Sequence, residues 1–168
     1  MPPTLPPLAL LNPRVLVIDD QADAADSLDL LLTQLGCDTS VAYGALEGLQ
    51  QATQFLPDVV MLDLHMPRID GLDAARALRA CRLPSRPLLV AMTADTRPGL
   101  RAEALAAGFD MHLVKPTPPA EIVAALRDLL TAAGAKNRFA VNEAGDGLAA
   151  RHTGTGVDGV AGRHPDAV

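Results

Sequence analysis

Between Arg14 and Ala133 the chain alternates short, uninterrupted apolar runs with longer stretches whose leucines recur at helical spacing. The short runs are Arg14–Ile18, Thr39–Ala42, Asp58–Leu62, Leu88–Met92 and Met111–Val114; Thr39–Ala42 is the weakest. Apolar residues follow one another in them instead of alternating with polar ones. That is the pattern of strands buried on both faces, as in a parallel sheet covered by helices on each side. The stretches between them predict helices. Ala22–Leu35 carries Leu28, Leu31, Leu32 and Leu35, and Ala45–Leu56 carries Leu46, Leu49 and Leu56. Leu72–Leu83 places Leu72, Ala75 and Leu78 on one face, Pro98–Ala107 closes at Gly108, and Ala120–Ala133 carries Ile122, Val123, Leu126, Leu129 and Leu130. Gly36, Pro57 and Pro84 punctuate the pattern. Five strand–helix units predict an α/β fold, a doubly wound parallel sheet with five helices. Such sheets bind ligands outside the carboxyl ends of their strands.

The ends of the chain differ from its middle. Residues 1–13, MPPTLPPLALLNP, hold four prolines in the first seven positions and predict an extended lead-in. This segment lacks a basic region and is too short to span a bilayer, so no membrane insertion is expected. From 134 to 168 apolar periodicity is lost, and six glycines fall between Lys136 and Val168, which predicts a disordered tail. At 168 residues the chain suits one domain. Aromatics are only 2% of it, so the core must be built from Leu, Val, Ala and Met. The formal net charge of -6 argues against a nucleic-acid partner. The charges of the last 33 residues cancel, so this excess of acid lies in the predicted domain. Two cysteines, Cys37 and Cys81, are no disulfide framework and fit reduced thiols in the cytosol.

In a parallel sheet the residues that follow each strand meet on one edge. Here these are Asp19 and Asp20 after the first strand, Asp63 after the third, Thr93 after the fourth and Lys115 after the fifth. Singly, each has an ordinary explanation as a turn residue, a helix cap or a surface charge. Together they form one chemical set. Three neighbouring carboxylates repel one another, and a hard divalent cation with oxygen ligands, of which magnesium is the best suited, relieves the repulsion. A lysine and a hydroxyl beside them suit a phosphoryl group. With Asp63 as nucleophile the product would be an acyl phosphate.

The motifs VLVIDD (15–20), DVVMLDLHMPRIDGL (58–72), VAMTA (90–94) and HLVKP (112–116) resemble the receiver domain of two-component response regulators, typified by the single-domain chemotaxis regulator. The resemblance covers residues 14–133. It implies a flavodoxin-like doubly wound sheet in the order 2-1-3-4-5 with five helices. It also implies Asp63 as phosphoacceptor, and Asp19 and Asp20 with Asp63 as holders of Mg2+, assisted by the backbone carbonyl of His65. Thr93 would be the switch hydroxyl, Lys115 the partner of a phosphoryl oxygen, and the bond to Pro116 cis. The family's second switch residue is an aromatic, and here that position is His112; the departure implies output coupling that is weakened or sensitive to pH. Arg97, Leu100 and Arg101 are expected near the output surface formed by the last two helices and the last strand, more as solvated helix residues than as an epitope.

The implied partners are a sensor histidine kinase or phosphotransfer protein and a downstream protein target, with neither nucleic acid nor membrane. No DNA-binding output domain is expected on this chain. Catalysis would be limited to self-phosphotransfer and slow autodephosphorylation, in the cytoplasm. A detached or C-terminal receiver module of a hybrid histidine kinase fits the same motifs. An aspartyl-phosphate hydrolase would want a second Asp two positions after the nucleophile, where His65 stands. A flavin or nucleotide module would want a Gly-rich loop after the first strand, where the chain has DDQADAADS.

Overall fold

Every residue of Val59–Asp63 is buried, and this run is the central strand of a five-stranded, wholly parallel sheet. The computed structural model describes residues 8–145, with side chains up to residue 134. The strands are β1 (Arg14–Ile18), β2 (Asp38–Ala42), β3 (Val59–Asp63), β4 (Leu88–Thr93) and β5 (Met111–Val114), in the order β2-β1-β3-β4-β5. The helices are α1 (Leu8–Leu11), α2 (Ala22–Gln34), α3 (Ala45–Phe55), α4 (Gly71–Ala80), α5 (Leu100–Ala107) and α6 (Pro119–Gly145). None among the described residues is long and apolar enough to cross a membrane.

Successive strand residues face opposite sides of a sheet, so each apolar run feeds two cores. Leu16, Ile18, Val60, Leu62, Leu89 and Ala91 pack under α3, α4 and α5. Val15, Val17, Val59, Met61, Val90 and Met92 pack with residues of α2 and α6. The inward helix positions are largely alanine, such as Ala52, Ala74, Ala75 and Ala104. That lets the helices lie close to the sheet and explains how a chain so poor in aromatic rings fills its interior.

Two expectations for the ends are corrected. Leu8–Leu11 is helical instead of extended, and adds a sixth helix to the five expected. Leu8 is buried, and Ala9 lies so close to Gly36 that a Cβ there would meet it at 2.8 Å; at φ +85° this position also favours glycine. The last helix runs to Gly145, well past Ala133, so residues 134–145 are not the structureless start of a tail. Lys136–Ala144 holds none of the six tail glycines, and its Ala, Lys, Arg and Glu are good helix formers; the helix ends at the first of those glycines. The rest of both predicted segments, 1–7 and 146–168, lies outside the described residues. The chain divides into two compact units, 1–131 and 132–168.

At the amino ends of the strands, away from the acidic edge, one arginine fastens several elements. Arg79 of α4 donates to the carbonyls of Gly108 (2.7 and 2.9 Å) and Pro87, and to Asp110 Oδ2 (2.8 Å). The same Asp110 oxygen accepts the backbone N–H of Leu89 at 2.8 Å. At the other edge, β3 and β4 each extend one residue beyond the predicted run, so that Asp63 and Thr93 are held within the sheet.

Asp70 and Gly71 divide the work of turning the chain after β3. Asp70 caps α4 by accepting from the N–H of Asp73 at 2.9 Å. The backbone of Gly71 passes so close that a Cβ would fall on the carbonyl of Asp63 and within 2.6 Å of the Leu64 Cα. These are backbone atoms and cannot yield as a flexible side chain would. Gly71→Ala is therefore expected to destabilise the protein by about 2–4 kcal/mol, whereas Gly44→Ala, in open space, should change little. Urea unfolding of the two variants checks this, and equal midpoints would contradict it.

Candidate functional site

The parallel register brings together at one edge what the sequence scatters. Asp19 and Asp20 follow β1, Asp63 ends β3, Thr93 ends β4, and Lys115 follows β5. Carboxylate oxygens of Asp19, Asp20 and Asp63 all lie within 4.8 Å of one another. Lys115 Nζ donates to Asp19 Oδ2 at 2.7 Å and to Asp63 Oδ1 at 3.0 Å. The second Asp19 oxygen accepts the N–H of Gln21 at 2.9 Å, which holds that carboxylate at the start of α2. Asp20 Oδ1 is buried with no hydrogen-bond partner.

The electrostatics are unbalanced. Asp63 is 6% exposed, and the one ammonium in a cluster of three carboxylates pairs with only two of them, Asp19 and Asp63. Burial pushes the Asp63 carboxyl above the ordinary carboxylate range and the charges of Asp19 and Asp20 push the same way, while Lys115 only partly opposes them. On Lys115 burial favours the neutral amine, but the hydrogen bonds to Asp19 and Asp63 outweigh it and raise its pKa. The pair thus responds unequally: the ammonium has two anions and is firmly charged, whereas the anion has one cation and two like neighbours. A small divalent cation fits this set. The donors are hard oxygens, the site carries excess negative charge, and one buried oxygen is unsatisfied.

The remaining predicted residues lie around this cluster. Thr93 is fully buried, and its hydroxyl accepts the N–H of Asp95 at 3.0 Å. His65 is exposed, its Nε2 facing Asp95 Oδ2 at 3.4 Å. The Lys115–Pro116 bond is cis. His112 is half-buried on β5, with Nε2 buried and without a partner. Leu100 is buried at the start of α5, and Arg97 precedes that helix.

Asp95 is the residue that the sequence did not single out. It also accepts the backbone N–H and the Nε of Arg97, whose guanidinium grips Glu103 at 2.7 and 2.9 Å. These hydrogen bonds hold the Asp95 and Glu103 carboxyls below the usual range. The loop after Thr93 is thereby tied to the loop after Asp63 and to the first turn of α5. A signal was present in the fragment TADTRPG, where a short acid stands two places after a strand-end threonine. Its partners are set only by the folded loop.

Comparison with known proteins agrees with this geometry. The family described as "Response regulator receiver domain" matches residues 15–127. The chain is similar to the transcriptional regulatory protein PrrA of Mycobacterium leprae, 39% identical over 124 residues, which are 74% of this chain and 52% of that one. It spans about half the length of the curated relatives it matches. Among solved structures, chemotaxis protein CheY4 of Vibrio cholerae superposes with a TM-score of 0.66 at 26% identity, over 69% of this chain and 97% of that one. The receiver domain of sensor histidine kinase PA1611 from Pseudomonas aeruginosa, with a magnesium ion coordinated in its active site cleft, gives 0.65 at 25% identity over 71% and 98%.

The charge imbalance predicts the effect of Asp63→Asn on stability. The substitution removes one of three anions and leaves Lys115 paired with Asp19. The metal-free variant should be more stable than the parent at neutral pH by about 1 kcal/mol. A carboxyl whose pKa is raised by folding destabilises at pH above that raised value, and the penalty disappears once it is protonated in both states. The advantage of the variant should therefore fade as pH falls through the raised Asp63 value to below its unfolded one. Thermal unfolding with a chelator, from neutral to acidic pH, checks both sign and window.

Proposed function

Because the chain belongs to the response regulator receiver family, we propose that it accepts a phosphoryl group on Asp63 from the phosphohistidine of a sensor histidine kinase or phosphotransfer protein. The observation that carries this reading is the Lys115 ammonium bridging Asp19 and a buried Asp63 at the carboxyl edge of the sheet.

An Asp63 oxygen attacks the phosphorus, the phosphorus–nitrogen bond of the donor breaks, and the imidazole nitrogen recovers its electron pair. Lys115, hydrogen-bonded to that carboxylate, offsets the charge arriving on the phosphoryl oxygens. Asp19, Asp20 and Asp63, with the His65 backbone carbonyl, would hold Mg2+, which when bound neutralises the transferring group. The Thr93 hydroxyl is a donor available to a phosphoryl oxygen, and turning it disturbs the Asp95 N–H bond. That couples Asp63 to the loop before α5, and so to a surface formed by α5, β5 and α6 that would bind a downstream protein. In this reading the protein turns over no substrate beyond its own phosphorylation and slow autodephosphorylation, and works in the cytoplasm.

The likeness to a receiver domain from a sensor histidine kinase supports a second reading, in which this chain is the receiver module of a hybrid kinase. The chemistry at Asp63 is the same in both. A hydrolase is disfavoured because His65, in the place of the second acid, turns its ring toward Asp95.

Incubation with magnesium and acetyl phosphate should add a single hydroxylamine-labile phosphoryl group, read by intact mass. Asp63→Asn should abolish it, and Lys115→Ala should slow it by roughly 100-fold. Undiminished phosphorylation of Asp63→Asn would refute the assignment.

A further inference from the structure

We propose that a groove beside the acidic edge recognises the phosphodonor by seating the residues that flank its phosphohistidine: an apolar side chain against Tyr43 and Leu46, and a carboxylate on Arg68. The inference rests on the phosphoacceptor reading above and adds to it the chemistry of the partner.

The groove, of about 270 Å³, lies between the turn from β2 into α3 and the loop from β3 into α4. Tyr43, Leu46, Met66 and Ile69 supply its apolar wall. Tyr43 and Leu46 are 47% and 62% exposed, so much of that wall is open to water. Tyr43 is fixed at both ends: its N–H donates to Glu47 Oε2 at 2.8 Å and its hydroxyl to Asp26 Oδ1 at 2.7 Å. The wall is therefore preformed, and seating a side chain against it costs little ordering. The charged residues lining the groove are Asp20, Glu47 and Arg68. Asp20 belongs to the acid cluster, and Glu47 is tied to the Tyr43 N–H. Arg68 makes no ion pair among the described residues.

Position and charge identify the occupant. Asp20 lines the groove, and carboxylate oxygens of Asp20 and Asp63 lie within 4.8 Å of each other. A histidine side chain is short. A donor whose phosphorus meets Asp63 must therefore lay its backbone across this edge, and the residues beside its histidine fall on whatever borders the acid cluster. Arg68 supplies the charge. Its φ is +70°, in the left-handed region where Gly or Asn sits with less strain. No contact among the described residues accounts for an arginine there. A strained residue without an internal partner points to a role outside the chain. The planar guanidinium suits a carboxylate. Beside Asp20 and Glu47 it is the one place in the groove where a donor's acid is attracted, which fixes how the donor lies along the edge.

The test measures phosphoryl transfer to the full chain, with magnesium, from capped pentapeptides carrying a central phosphohistidine. Its two neighbours are Leu and Glu, Leu and Lys, or Ala and Ala. Acetyl phosphate, which has no flanking residues, is the reference donor. The Leu–Glu peptide should transfer about fivefold faster than the Ala–Ala peptide, the gain expected of one exposed ion pair and one partly covered apolar side chain. The Leu–Lys peptide should lose most of that gain. Arg68→Asn, which the left-handed turn accepts, should erase the difference between Glu and Lys. Leu46→Ser, at an exposed position, should erase the advantage of Leu. Neither should change the rate with acetyl phosphate. Equal rates for the three peptides, or variants that slow acetyl phosphate as much as the peptides, would overturn recognition at the groove and leave the phosphoacceptor reading intact. A parent that sediments as a dimer and a variant that sediments as a monomer would also overturn it, and would assign the groove to a second copy of this chain. No transfer from acetyl phosphate or from any peptide would instead count against the phosphoacceptor reading itself, and recognition at the groove would fall with it.

Discussion

Crowding of negative charge is the constraint from which the rest of this structure follows. Three carboxylates have oxygens within 4.8 Å of one another, two of them, Asp19 and Asp63, are almost wholly buried, and a single ammonium binds that pair. Like charges so placed separate unless the backbone prevents it. Here the backbone is a central parallel sheet, buried on both sides, with Asp63 locked at the end of its middle strand. The rigidity of β1 and β3 keeps the three carboxylates together despite this repulsion, in a set that suits a small divalent cation.

Around this cluster, polar contacts join the strand-end residues to the neighbouring loops. The Thr93 hydroxyl is fixed by the Asp95 N–H, and the Asp95 carboxylate faces both His65 and Arg97. None of these exposed ion pairs contributes much alone, since water screens them. Their value is geometric: they join the loops after β3 and β4 to α5, so a change in one alters the others.

Strand content is legible because burial on both faces demands uninterrupted apolar runs, and all five predicted strands lie within one residue of the observed ones, whereas the strand order follows from the resemblance to receiver domains. The edge cluster was readable because parallel strands bring their carboxyl ends together, whatever their separation in sequence. What was not readable depended on contacts between distant segments. Leu8–Leu11 has no helical signature of its own; it is positioned with Leu8 in the core and Ala9 against Gly36. The length of α6 is hidden by averaging glycine content over the whole tail, since after Gly134 the next glycine is Gly145. Asp95 is not legible in the sequence because its three partners, Thr93, Arg97 and His65, are supplied by the folded loops. His112, by contrast, stood out as a departure from the family pattern, and the structure adds that its outer nitrogen has no partner.

The Arg79 fastening has a mechanical consequence. Its guanidinium pins the carbonyls of Pro87 and Gly108 and the Asp110 carboxylate, so the start of β4, the end of α5 and the turn into β5 are anchored together. A Cβ on Gly108 would meet Arg79 Cγ at 2.8 Å, which leaves little slack at the joint. With that end fixed, a displacement begun at Thr93 cannot carry α5 away as a whole. Such a displacement would turn the helix about its Gly108 end, as a lever turns on its fulcrum, with the greatest travel at Leu100.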